Sequence, residues 1–211
     1  GGPRGSSRTG AGARARSRDR LRRAWNWDGH VNSKDSAVVQ DHPDWHLNDL
    51  FASYEKLGGL NDADRHNMPS KRAVGQICAD LLQLLFPGYH DDSAFPDDVL
   101  MPLTVERLYS VVRRLQEEVR KSVRIDDPKR PTGRTAPIME RFCAELAIVR
   151  ELLQTDVEAA FDGDPSALLR EEIILAYPFI EAIAIQRLAH RLYREGAPLI
   201  PRMMTEWAHA R

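Results

Sequence analysis

Cysteine is nearly absent: the 211 residues hold two, Cys78 and Cys143. A disulfide scaffold needs more cysteines in a smaller chain, so both are expected as reduced, buried thiols in a cytosolic protein. Long apolar runs are missing as well. The longest, "EEIILAYPFIEAIAI", is interrupted by Pro178 and Glu181 and falls short of the roughly 20 apolar residues a spanning helix takes. No segment alternates with period two for long enough to read as a strand, and no spacing repeats. No glycine-rich loop is built to cradle a phosphate, and local spacing supports no Ser-His-Asp or Cys-His arrangement. What is present is enough apolar content, 42%, for one substantial core.

Charge is uneven. Residues 1–23 carry eight arginines against Asp19 alone, a balance of +7; the whole chain carries −1, so the remainder carries −8. A mildly acidic body argues against a nucleic-acid footprint on the folded part. Residues 1–35 are rich in Gly, Ser and Arg and nearly free of aliphatic side chains. That composition cannot repay the entropy of ordering, so this stretch is expected as a disordered basic tail ahead of a helical domain over 36–211. A transit peptide, a polyanion-binding arm, a bland solvated tail and sequence read in from upstream all remain open for it. Because the sequence starts at Gly1 rather than Met, a natural N-terminus upstream of it is expected.

The body has the period of helices throughout, an all-α pattern. Leu47, Leu50, Phe51 and Tyr54 fall at i, i+3, i+4 and i+7, with Pro43 suited to a first turn and Gly58-Gly59 as a stop. Val74, Ile77, Cys78, Leu81, Leu84 and Leu85 form a second stripe that Pro87-Gly88 ends. Thr104 is a candidate N-cap for a third helix that turns Leu108, Val111, Val112, Leu115 and Val119 inward. A fourth buries Ile138, Phe142, Leu146, Val149, Leu152 and Leu153. After Pro178, the residues Gln186, Arg187, His190, Arg191 and Arg194 share an arc of about 140° at 100° per residue. The rest of that girth is apolar, which places the helix at the centre of a bundle or at a subunit interface. Beyond Gly196 the chain restarts near Pro198 with Leu199, Ile200, Met203, Met204 and Trp207, which need a partner surface.

Few residues suggest chemistry. His42 and His46 are spaced to share a helix face, but no third metal ligand accompanies them and they read as a solvated helix start. The cluster His90, Asp91, Asp92 follows Pro87-Gly88 and reads as a turn; no metal site is expected. His190 on the polar arc reads as an exposed or hydrogen-bonded side chain. The elbow "FDGDPS" differs in kind. Pro165 disfavours helix at Asp164, Gly163 permits a positive φ, and a new helix starting at Pro165 or Ser166 makes Asp164 its cap. By residue type alone, capping is favoured over ligand binding for Asp164.

Several elements together resemble the N-terminal helical domain of the bacterial serine O-acetyltransferase family. They are Thr155-Asp156, Asp162-Gly163-Asp164-Pro165, Tyr177-Pro178, Arg187-Leu188-Ala189-His190 and Pro198-Leu199-Ile200-Pro201-Arg202-Met203, with "LLFPGY" at 84–89. The likeness is close over about 138–211, looser over 70–137 and absent over 1–35. Phe179 stands where the family usually has Gly, and Glu181 where His or Tyr is common.

The resemblance implies acetyl transfer from acetyl-CoA to the hydroxyl of L-serine, giving O-acetylserine for cysteine synthesis in the cytoplasm. It implies that a histidine oriented by an aspartate is the general base, in a left-handed β-helix of hexapeptide repeats that follows this segment. No such repeat lies in the sequence, so no catalytic residue and no acetyl-CoA-binding residue is assigned within it, and the chain alone is expected to be inactive. The role that carries over is substrate binding by Asp164, which with the resemblance is favoured over capping. A carboxylate suits the serine ammonium through charge-assisted hydrogen bonds. The resemblance also implies a homo-oligomer formed through the helical domain, and an O-acetylserine sulfhydrylase as a possible partner. The contrasting reading is a non-catalytic helical module that only mediates association.

Overall fold

In the computed structural model, the described residues are 47–57, 60, 68–92, 94–126, 135–197 and 199–210. They are helical, with no strand among them. The expectations for residues 1–35, Pro43, His42, His46 and Gly58-Gly59 fall outside the described residues. The chain divides into two compact units, residues 1–66 and 67–211.

The first unit contributes α1, Leu47–Lys56. Its stripe of Leu50, Phe51 and Tyr54 is exposed, with the two aromatic rings 6.1 Å apart.

The second unit holds α2 (Lys71–Leu85), α3 (Asp97–Asp126), α4 (Thr135–Gly163), α5 (Arg170–Ala176), α6 (Pro178–Arg194) and α7 (Leu199–His209). Helix α2 is held at both ends. The Ser70 hydroxyl accepts from the Ala73 N–H at 3.3 Å, and the buried carboxylate of Glu118 on α3 accepts from the Ser70 N–H at 2.8 Å. At the other end, Arg150 on α4 donates to the Leu85 carbonyl at 2.6 Å, satisfying an orphan acceptor of the last turn. Gly88, at φ 85°, then turns the chain.

Helix α3 starts seven residues before the expected cap, so Thr104 lies inside it. Pro102 sits on an exposed face early in the helix, and Asp97 and Asp98 at the positive end of the dipole favour the added turns. Of the residues expected inward, Val111, Leu115 and Val119 are fully buried, and Leu108 and Val112 are half-buried.

Helix α6 is the centre of this unit, packed on α2, α4, α5 and α7. Ile180, Ala184, Ile185, Leu188, Ala189 and Leu192 are at most 1% exposed within the single chain, while Phe179 and Tyr193 at its two ends stay exposed. Within the single chain it takes the bundle-centre placement that its pattern allowed. Gly196, at φ 78°, reverses the chain into α7. Ile200 and Met204 are buried there, and Trp207 lies against Gly75 of α2, where a Cβ would come within 2.8 Å of the indole Cδ1.

Cys78 is fully buried, and desolvation pushes its thiol up to about 12. Cys143 is only half-buried, a correction to the expectation of two buried thiols: it lies on the flank of α4 beside the inward-facing Phe142. Burial raises its pKa too. A thiol reagent should therefore modify only Cys143 in the native protein, with Cys78 reacting once denaturant unfolds the chain. Fast labelling of the Cys143→Ser variant would contradict this packing.

No single helix among the described residues is long and apolar enough to cross a membrane. The apolar run split by Pro178 forms α5 and α6, bent by 76° with Tyr177 between them.

Candidate functional site

The elbow between α4 and α5 is built from residues that cannot continue a helix. Helix α4 runs through Gly163, which does not take a positive φ, and stops at Asp164 because Pro165 follows. The expected helix start at Pro165 or Ser166 is not found. Pro165 and Ser166 form a turn, and α5 begins at Arg170. Asp164 therefore caps a turn rather than a helix. Its Oδ1 accepts from the Ser166 N–H at 2.9 Å and from the Ser166 hydroxyl at 2.7 Å, the local pattern by which Asp closes a turn two residues on. The Ala167 N–H returns to the Asp164 carbonyl at 3.1 Å.

The other carboxylate oxygen is engaged from a distance. Tyr177, between α5 and α6, donates its hydroxyl to Asp164 Oδ2 at 2.6 Å. Tyr177 and then Ser166 hold the Asp164 carboxyl below the usual carboxylate range, and Asp164 in turn raises the Tyr177 phenol. Asp164 is thus an ionised, partly exposed carboxylate in a fixed orientation. Around it the loop is closed further. Glu172 accepts from the Leu168 N–H at 3.0 Å, and Arg170 pairs with Glu158 at 2.6 Å while lying over the Phe161 ring at 4.6 Å. Phe179, at the position where Gly was expected, packs edge-on against Tyr177 with centroids 6.0 Å apart.

A second tie joins two of the quoted elements. Arg187 of α6 holds Asp156 of α4 through two bonds of 3.0 and 2.7 Å, and Arg191 pairs with Glu145 at 3.2 Å. His190 is exposed beside them, on an open depression lined also by Leu152 and Gln186, and is not among the partners of Asp164. The turn reading of the His90-Asp91-Asp92 cluster holds: Asp91 accepts from the Gly88 N–H at 2.9 Å and is paired with Arg107. His90 Nδ1 lies 3.8 Å from Glu181, the other departure from the expected pattern. Among the described residues, no group of three His, Cys, Asp or Glu side chains is placed to hold a metal.

Sequence reasoning singled out Asp164 but gave Ser166 and Tyr177 no role. The Asp-Pro-Ser order carries a turn signal that was available. The approach of Tyr177, thirteen residues on, depends on the bend between α5 and α6 and has no local signature.

No family profile matches the chain. A plasmid-borne serine acetyltransferase of Synechococcus elongatus is 29% identical over 199 residues, covering 90% of this chain and 58% of the relative. The chain is similar to serine acetyltransferases. A serine acetyltransferase of a Synechocystis species is 39% identical over 56 residues, 26% of this chain and 22% of that protein. In structure, serine acetyltransferase isoform 3 of Entamoeba histolytica, crystallised with cysteine, superposes with a TM-score of 0.53 at 26% identity. That match covers 64% of this chain and 44% of that one. Serine acetyltransferase 1 of the same organism, also crystallised with L-cysteine, gives a TM-score of 0.54 at 23% identity, covering 64% and 46%, and supports the fold alone. The chain spans little more than half the length of the first serine acetyltransferase named above and less of the others.

Proposed function

We propose that this chain is the helical, serine-contacting part of a serine O-acetyltransferase, which converts acetyl-CoA and L-serine to O-acetyl-L-serine for cysteine synthesis. The similarity over 90% of the chain supports the family reading. The observation that carries the site is the carboxylate of Asp164, kept ionised and held in place at the elbow. Such a group pairs with an ammonium, and serine has one beside the hydroxyl that reacts. Anchoring the amine fixes where the hydroxyl lies, which is how a binding residue lowers a barrier without touching the reacting atoms.

The chemistry itself needs a general base to take the hydroxyl proton as the oxygen attacks the thioester. We assign neither that base nor the acetyl-CoA groove to these 211 residues. They belong to a repeat-built β-helical half of the complete enzyme, and the 211-residue chain alone is inactive in this reading. Cytoplasmic location, assembly of copies through the helical surface and association with an O-acetylserine sulfhydrylase belong to the same proposal. The test is an acetyl-transfer assay of the 211-residue chain beside a version extended through the repeats of the complete protein. Activity confined to the extended version is expected. An extended version that binds neither substrate would leave the helical part as an association module.

A further inference from the structure

A carboxylate has about four acceptor positions, two on each oxygen. At Asp164, Oδ1 already receives two donors, the Ser166 N–H and the Ser166 hydroxyl. Oδ2 receives one, the Tyr177 hydroxyl. Among the described residues, the open acceptor position is therefore on Oδ2, beside the phenol oxygen. Tyr177 is itself held. Its ring is partly buried against the core and meets the Phe179 ring edge-on, and Pro178 begins the central helix immediately after it. The phenol thus transmits the position of α6 to the carboxylate.

From this geometry we infer that Tyr177 is a positioning residue for an ammonium receptor on Asp164: its hydroxyl fixes Oδ2 so that the one open acceptor position meets the substrate amine. The inference rests on the reading of Asp164 given above. Ser166 sets the turn through the opposite oxygen and has a lesser influence on the ligand. Removing the phenol hydroxyl leaves Oδ2 free to swing and withdraws the hydrogen bond that lowers the carboxyl pKa most. The first effect weakens amine binding at neutral pH, and the second adds to the loss only at acid pH.

The test compares Tyr177→Phe, Ser166→Ala and Asp164→Asn in the complete enzyme, with serine and with its analogue in which hydrogen replaces the ammonium. Tyr177→Phe is expected to raise the serine KM about tenfold with kcat within about twofold, the size of one hydrogen bond to a charged group. The kcat/KM for the amine-free analogue should not change. The acid limb of kcat/KM for serine should move to higher pH, because the carboxyl pKa rises when its main hydrogen bond is lost. Ser166→Ala should change the serine KM less than Tyr177→Phe does. An unchanged KM and acid limb in Tyr177→Phe overturns the inference. Equal losses on both substrates, or a variant that does not fold, show a structural role and overturn it as well. If Asp164→Asn leaves the serine KM unchanged, the underlying reading of Asp164 fails, whatever Tyr177→Phe does.

Discussion

Gly75→Val should lower the thermal midpoint of the protein by about 4–8 °C, a loss of about 2 kcal/mol in a unit of this size. The cause is local. Trp207 of α7 lies on the bare backbone of Gly75, with indole Cδ1 2.8 Å and Nε1 2.9 Å from where a Cβ would stand. That separation is below any real carbon contact, and the ring is a rigid body, partly buried and packed against the core cluster, rather than the free end of a flexible chain. A side chain at position 75 therefore displaces α7 or forces the indole from its rotamer. Helix propensity opposes the effect, since replacing a mid-helix Gly by Ala is worth about 1 kcal/mol of stabilisation. The two contributions separate in a double-mutant comparison. Gly75→Ala should destabilise or be near neutral with Trp207 present, and should stabilise by about 1 kcal/mol in a Trp207→Ala background. The same sign in both backgrounds would show that the indole is not the obstacle.

The second large effect is catalytic. Asp164→Ala in the complete enzyme is expected to lower kcat/KM for serine about a hundredfold, the scale on which truncating one partner of a hydrogen-bonded charge pair acts. The helical circular-dichroism signal should be retained. Asp164 lies in a turn that Ala167 N–H also closes through the backbone, so one further tie remains when the side chain is removed. A lowered melting midpoint with normal serine kinetics would mean that closing the turn is the whole role of Asp164.

Much of the body was legible in the sequence because each helix buries a stripe that repeats every three to four residues. Val74, Ile77, Cys78 and Leu81, and likewise Val111, Leu115 and Val119, needed only that period to be placed inward. Helix starts were less legible. Thr104 was a sound cap by residue type, but the helix passed it because two acids at Asp97 and Asp98 favour an earlier start despite Pro102. Gly163 allowed a left-handed exit that the chain does not take, since Pro165 alone ends the helix. At the site, Asp164 stood out through its neighbours in sequence, and Ser166 could have been read with it. Tyr177 and the Arg187–Asp156 pair could not, because separations of 13 and 31 residues are closed by helix packing rather than by local spacing.

The contact between Gly75 and Trp207 also bears on how the protein is made. It joins positions some 130 residues apart, and α7 packs against both α2 and α3. During synthesis at about 5–20 residues per second, α2 waits roughly 7–26 s for the helix that completes its cover. Through that interval the apolar face of α2 depends first on α3, which follows it directly and reaches back through Glu118 to the Ser70 N–H, and then on α6 as well. The early pair of helices shelters the apolar face of α2 until α7 emerges.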